Sequence, residues 1–157
     1  MRALPADPGH LIVSCDGASR GNPGPAGIGA QVTDERGTIL GEVARGIGET
    51  TNNVAEYTAV IEGLSLAQEL GARTVTLRSD SLLLINQLTG RYRVKSEHLQ
   101  PLHRRARSLA AGFESAGSHS DALTDNAALA RSWSWRSAWI ARRMSHNCMA
   151  SSDWPSK

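Results

Sequence analysis

The stretch HLIVSCDGASRGNPGPAG, residues 10–27, decides how the rest of the chain is read. Residues 10–14 are rich in Leu, Ile and Val, the composition of a strand, and they run into a single acid, Asp16, with Gly17 directly behind it. From there to residue 27 glycine and proline dominate, which is the chemistry of a turn. A carboxylate at the end of a strand, where the chain leaves a sheet, stands where α/β proteins assemble their sites.

Working outward, residues 28–33 and 38–47 form two more strand candidates around Asp34-Glu35-Arg36-Gly37, a polar tetrad that suits a hairpin. Three antiparallel strands are expected. At Asn52 the period changes: Val54, Tyr57, Val60, Ile61, Leu64, Ala67 and Leu70 recur every three or four residues until Gly71, so a long amphipathic helix is expected. Residues 73–78 alternate as a strand. Ser79-Asp80-Ser81 then opens a second helix over 82–88, ended by Gly90, and residues 101–113 read as a third helix with a basic face. Beyond residue 115 little strand pattern remains, and all four tryptophans (Trp133, Trp135, Trp139, Trp154) fall in this last part.

A chain of 157 residues with 20% charged side chains reads as one ordinary globular domain. Its 17 basic and 15 acidic side chains give a net charge of only +2, so any nucleic-acid surface has to be local. Residues 1–115 balance 12 against 12, and the whole excess lies in the remainder, 5 against 3. Cys15 and Cys148 form no ligand pattern and read as a buried thiol and a tail thiol. No apolar run has the length of a signal peptide core or a membrane span. The expectation is a cytoplasmic monomer with no membrane partner.

Three acids stand at pointed places: Asp16 at a strand end, Glu56 in the first turns of the long helix, and Asp80 at a strand-to-helix junction. Taken singly, Asp80 reads equally as a helix cap and Glu56 as a charge favoured by the helix dipole. Their neighbourhoods say more. The segment 16–27, then Thr50-Thr51-Asn52-Asn53-Val54-Ala55-Glu56, then Ser79-Asp80-Ser81, then residues 88–95 (LTGRYRVK) resemble, in order and spacing, the signatures of ribonuclease H, type 1, in its bacterial and archaeal branch. The resemblance covers residues 10–113.

That resemblance implies the α/β ribonuclease H-like fold, a mixed five-stranded sheet with three antiparallel strands followed by parallel ones, flanked by helices. It implies an endoribonuclease that cuts the RNA strand of an RNA/DNA hybrid with two divalent ions, Mg²⁺ or Mn²⁺, leaving 5′-phosphate and 3′-hydroxyl ends. Asp16, Glu56 and Asp80 would be the catalytic metal ligands. Carboxylates supply the hard oxygens and the negative charge that such cations require. Gly17, Ser19, Asn22, Thr51, Asn52 and Asn53 match positions that contact the hybrid, where an amide can both donate to and accept from a 2′-hydroxyl. Turn formation and helix capping are the plainer account of the same asparagines. Arg91, Arg93, Lys95, Arg104, Arg105 and Arg107 concentrate positive charge able to meet phosphates, or else form a solvated face; Tyr92 either stacks or packs.

After the third helix the resemblance breaks. The family pattern asks for a fifth strand, a loop histidine and a helix opened by a fourth acid. The chain offers His119 for the histidine and Asp125 or Asn126 for the acid. A ribonuclease H domain is therefore expected over 1–130 and an atypical tail over 131–157, the tail being either a helix foreign to the family or the translation of a shifted reading frame. The rival reading is a hybrid-binding module of the same fold whose catalysis is impaired by that altered part. Resolvases and integrases share the sheet and the acids, but the Gly-Asn-Pro-Gly loop and the Thr-Asn-Asn turn speak against them.

Overall fold

The computed structural model describes residues 9–120. The chain runs β1(His10–Ser19), β2(Gly24–Thr33), β3(Ile39–Thr50), α1(Asn52–Glu69), β4(Thr74–Ser79), α2(Leu82–Leu88), α3(Gln100–Ala111) and β5(Ser115–Ser120). The five strands form one sheet in the order β3-β2-β1-β4-β5. β1 pairs antiparallel with β2, and β2 with β3, whereas β4 runs parallel to both β1 and β5. This is the mixed sheet expected, and β1 is the strand where its two halves meet.

The first two strands reach further into the Gly/Pro segment than its composition suggests. Ladder pairs continue to Ala18↔Gly27 and Ser19↔Ala26, and the Arg20 N–H donates to the Pro25 carbonyl at 2.8 Å, so only a few residues turn. The second hairpin turns where expected. The Asp34 carboxylate accepts N–H groups from Arg36 and Thr38 at 2.9 and 2.8 Å, an Asx arrangement that closes the tetrad.

α1 forms where the apolar period demands it. Tyr57, Val60, Ile61, Leu64 and Ala67 are buried, with Val54 and Leu70 packed on the core's margin. Thr51 caps the helix, its hydroxyl accepting the Val54 N–H at 3.3 Å, and Gly71 at φ +82° lets the chain leave it. α1 lies against Leu11, Val13 and Cys15, the buried alternate residues of β1; a methyl group at Gly63 would come within 2.6 Å of Val13 Cγ1. Across the helix, the Tyr57 hydroxyl donates to Gln87 Oε1 of α2 at 2.7 Å, with both residues buried. The Tyr57 ring meets His103 of α3 edge-on at 6.2 Å, so one aromatic side chain joins all three helices.

β5 is the element that the sequence conceals. Its residues, SAGSHS, lack both alternation and β-branched side chains, and the strand exists by main-chain pairing with β4 from Thr74↔Ser115 to Ser79↔Ser120. His119, expected in a loop beyond such a strand, lies within it opposite Arg78. Asp125, Asn126, Cys148 and the tail expected over 131–157 lie outside the described residues. Among the described residues no helix is long and apolar enough to cross a membrane.

Candidate active site

Asp16 lies inside β1, three residues before its end and not at the strand end expected, because the ladder with β2 continues through Ser19; Glu56 lies on the second turn of α1, and Asp80 follows the last residue of β4. Because β1 and β4 are parallel neighbours, with Ser14 level with Arg78, their acids emerge at the same edge of the sheet. Gly17 brings the third element in. A β-carbon there would stand 2.3 Å from the carbonyl carbon of Ala55, so α1 can press its first turn onto β1 only because residue 17 has no side chain. The residue read as a substrate contact thus has a prior task, which is to let Glu56 approach Asp16.

The electrostatics show that the three acids share one environment. Burial, then the Asp80 charge, pushes the Asp16 carboxyl up to about 6, against a hydrogen bond from the Gly17 N–H. Burial pushes Glu56 up to about 7; the Asp80 and Asp16 charges add to this, while hydrogen bonds from Ser81 and Asn52 oppose it. Burial and the charges of Asp16, Asp80 and Glu56 hold the neighbouring Cys15 thiol far above its ordinary value, and its Sγ donates to the Arg78 carbonyl at 3.6 Å. A thiol so protonated is a packing group, as expected for this cysteine.

Such a site favours cations. Asp16 and Glu56 are held up chiefly by burial and further by neighbouring acids, and a divalent ion would offset both the lost hydration and the repulsion. The donors are hard oxygens, suited to Mg²⁺ or Mn²⁺. Among the described residues, no three His, Cys, Asp or Glu side chains are already arranged to hold a metal ion. Mutual electrostatic influence needs only a shared cleft, whereas coordination needs oxygens at about 2.0–2.6 Å from one point. The residues therefore fit a hard divalent cation in the chemistry of their donors.

The polar residues flanking the acids are bonded to one another. Asn52 Oδ1 accepts the Ser19 N–H at 3.4 Å, its Nδ2 donates to Glu56 Oε1 at 3.3 Å, and its own N–H donates to Asn22 Oδ1 at 3.2 Å. Asn52 is thus a bridge from the β1–β2 turn to the acid on α1. Asn22, Thr51 and Asn53 instead line a cleft of about 420 Å³ with Thr50, Val54, Ser96, His98 and Leu99. Of the basic residues, Arg91, Arg93, Arg104 and Arg107 come together around a second cleft of about 540 Å³ beside the exposed Tyr92, with Lys95 and Arg105 outside its lining. Sequence reasoning missed Ser81 as a member of the site. Its only signal is its place next to Asp80.

A family model described as reverse transcriptase-like matches residues 14–129. A bifunctional protein of Mycobacterium tuberculosis is 46% identical over 104 residues, 66% of this chain and 29% of that protein. Ribonuclease HI of Halobacterium salinarum is 42% identical over 106 residues, 68% of this chain and 53% of that enzyme. The chain belongs to the ribonuclease H family. Its fold agrees with that of a solved family member, LC11 RNase H1 in complex with an RNA/DNA hybrid: TM-score 0.68 at 38% identity, over 74% of this chain and 88% of that one. Family membership extends the resemblance past β5, because the matched span includes residues 121–129. The chain spans about a third to a half of the curated relatives it matches.

Proposed function

We propose that this chain hydrolyses the RNA strand of RNA/DNA hybrids as an endoribonuclease dependent on two divalent ions, Mg²⁺ or Mn²⁺, and leaves 5′-phosphate and 3′-hydroxyl ends. The observation that carries this reading is geometric: Asp16 and Asp80 stand on the parallel neighbours β1 and β4, and the bare Gly17 lets the start of α1, with Glu56, press against β1; the Asp80 charge adds to the raised proton affinity of both Asp16 and Glu56. The hybrid bound to LC11 RNase H1 supports the substrate class.

Asp16, Glu56 and Asp80 would hold the cations, with Asp125 or Asn126 as the fourth ligand. When bound, paired divalent ions supply Lewis acidity that readies a water for in-line attack and stabilises the departing oxygen. The protein's own contribution is placement. Gly17 and the β1–β4 register bring the acids together, and Asn52 steadies Glu56 while joining it to the Ser19–Asn22 turn. Asn22, Thr51 and Asn53 face a cleft where 2′-hydroxyls and phosphate oxygens of the RNA strand would find donors and acceptors. The arginine-lined cleft would take backbone phosphates without reading sequence.

The test is cleavage of an end-labelled hybrid in Mg²⁺ or Mn²⁺, with duplex RNA and duplex DNA of the same sequence as controls. Cutting confined to the RNA of the hybrid is expected. Hybrid binding without cutting in either metal would replace this reading with that of a hybrid-binding module impaired in catalysis.

A further inference from the structure

The arginine-lined cleft, between the chain that follows α2 and the helix α3, has walls that are tied together. The Tyr92 N–H donates to the Asn86 carbonyl at 3.0 Å, Gln100 Nε2 on α3 donates to the Val94 carbonyl at 3.3 Å, and His103 Nε2 hydrogen-bonds the Gln87 carbonyl at 3.0 Å. Arg91, Arg93, Arg104 and Arg107, all exposed, line the space of about 540 Å³ between those walls. Among the described residues no acid lines it, and no carboxylate pairs with any of the four. Tyr92 is 53% exposed although the chain is anchored on both sides of its ring, at its own N–H and at the buried Val94.

We propose that this cleft binds an unpaired stretch of nucleic acid, its arginines meeting the phosphates and Tyr92 stacking on a base. The phosphates of a regular duplex stand on its outside and its bases are stacked within, so a duplex needs neither a concavity nor an aromatic ring. An unpaired strand needs both a basic groove to follow its backbone and a π-face to receive a base. The volume lies in the range of sites that hold a small organic molecule such as one nucleotide. The cleft is also well placed for a strand that continues to the acids. α2, seven residues and about 10 Å long, separates Gln87 at the cleft from Ser81 beside Asp80, a distance that a duplex strand covers in about three nucleotides. An unpaired extension of a hybrid can therefore lie in the cleft while paired nucleotides reach the acids. That the strand belongs to a hybrid rests on the functional reading above; that it is unpaired rests on the cleft alone.

The experiment uses the whole chain in chelator. Fluorescence anisotropy follows short labelled oligothymidylate and oligouridylate, with blunt duplex DNA and an acidic peptide as competitors. The parent is compared with Tyr92→Ala, Tyr92→Phe and Arg104→Ala, replacements at exposed positions that leave the core intact. Tyr92→Ala should weaken binding of at least one oligonucleotide by about tenfold, and phenylalanine should restore it. Arg104→Ala should weaken binding and lower the slope of log affinity against log salt by about 0.7, the share of one single-strand phosphate. Hybrids of one paired sequence, blunt or carrying an unpaired extension, are then cut in Mg²⁺. The extension should lower the parent's KM about fivefold and draw cutting toward the junction, and Tyr92→Ala should lose that advantage. Oligonucleotide binding that Tyr92→Ala leaves unchanged, or that blunt duplex or acidic peptide displaces as well as unlabelled oligonucleotide does, would make the cleft a charged face only and overturn the proposal. So would an extension that brings the parent no gain. Tyr92-dependent binding in a parent that cuts no hybrid would support the cleft and refute the functional reading.

Discussion

Replacing Asp16 with asparagine should make the metal-free protein more stable at neutral and alkaline pH. The carboxyl of Asp16 rises from 3.8 to about 6 on folding, chiefly through burial and then through the Asp80 charge. The folded state therefore binds a proton more tightly than the unfolded state does. For an acid shifted in this direction, stability is complete below the unfolded value and declines as pH rises from about 4 to about 6. At 1.36 kcal/mol per unit the full shift corresponds to about 3 kcal/mol, and because the side chain is partly exposed we expect about 2 kcal/mol in practice. Asparagine keeps the shape without the charge and escapes that loss. Urea denaturation in chelator at pH 4 and pH 8 checks this: parent and variant should coincide at the lower pH, with the variant ahead by about 2 kcal/mol at the higher, or roughly 5–10 °C in melting temperature. Adding Mg²⁺ should close the gap by stabilising the parent while the variant gains little, and the variant should not cleave hybrid. Equal stability of the two proteins at pH 8 in chelator would refute the argument, since it would mean that the ionised carboxylate is not under strain.

Three further outcomes follow from the packing. Gly17→Ala should cost at least 2 kcal/mol in denaturation experiments and abolish cleavage, because a methyl group would overlap the Ala55 carbonyl carbon and lever α1 away from β1. Asn53→Ala should weaken hybrid binding in a filter or fluorescence assay with Mg²⁺ affinity unchanged, whereas Asn52→Ala should disturb both, since only Asn52 also holds Glu56. Tyr57→Phe should lower stability by about 1–2 kcal/mol by leaving buried Gln87 Oε1 without its donor, and should leave kcat within about twofold of the parent.

The parts of the fold that were legible in the sequence are those whose residues carry their own signal. α1 announces itself through the spacing of Tyr57, Val60, Ile61, Leu64 and Ala67, all of them buried. The turn at Asp34 is written in its side chain, which closes the turn locally. β5 is not legible because Ser, Ala and Gly say nothing of a strand until β4 presents its free main-chain groups. In the site, Asp16, Glu56 and Asp80 could be named through their ordered neighbourhoods. Their mutual repulsion, the crowding of Gly17 against Ala55 and the bridge through Asn52 arise only when segments more than twenty residues apart are folded together. Likewise, six basic residues read alike along the chain, and only the packing of the α2–α3 loop against α3 sorts Arg91, Arg93, Arg104 and Arg107 from the other two.

β1 is bonded on both sides, antiparallel to β2 and parallel to β4, and it is the strand that carries Asp16. In hydrogen-exchange terms it belongs to the last unit to open, while the outer strands β3 and β5 and the turn at residues 20–23 exchange through smaller local openings. The acid framework should therefore survive as long as the domain does, and breathing of the periphery should first disturb the Ser19–Asn22 turn, which is tied to it through Asn52 and which we propose meets the substrate. Warming should accordingly loosen the grip on the hybrid before it dismantles the chemistry.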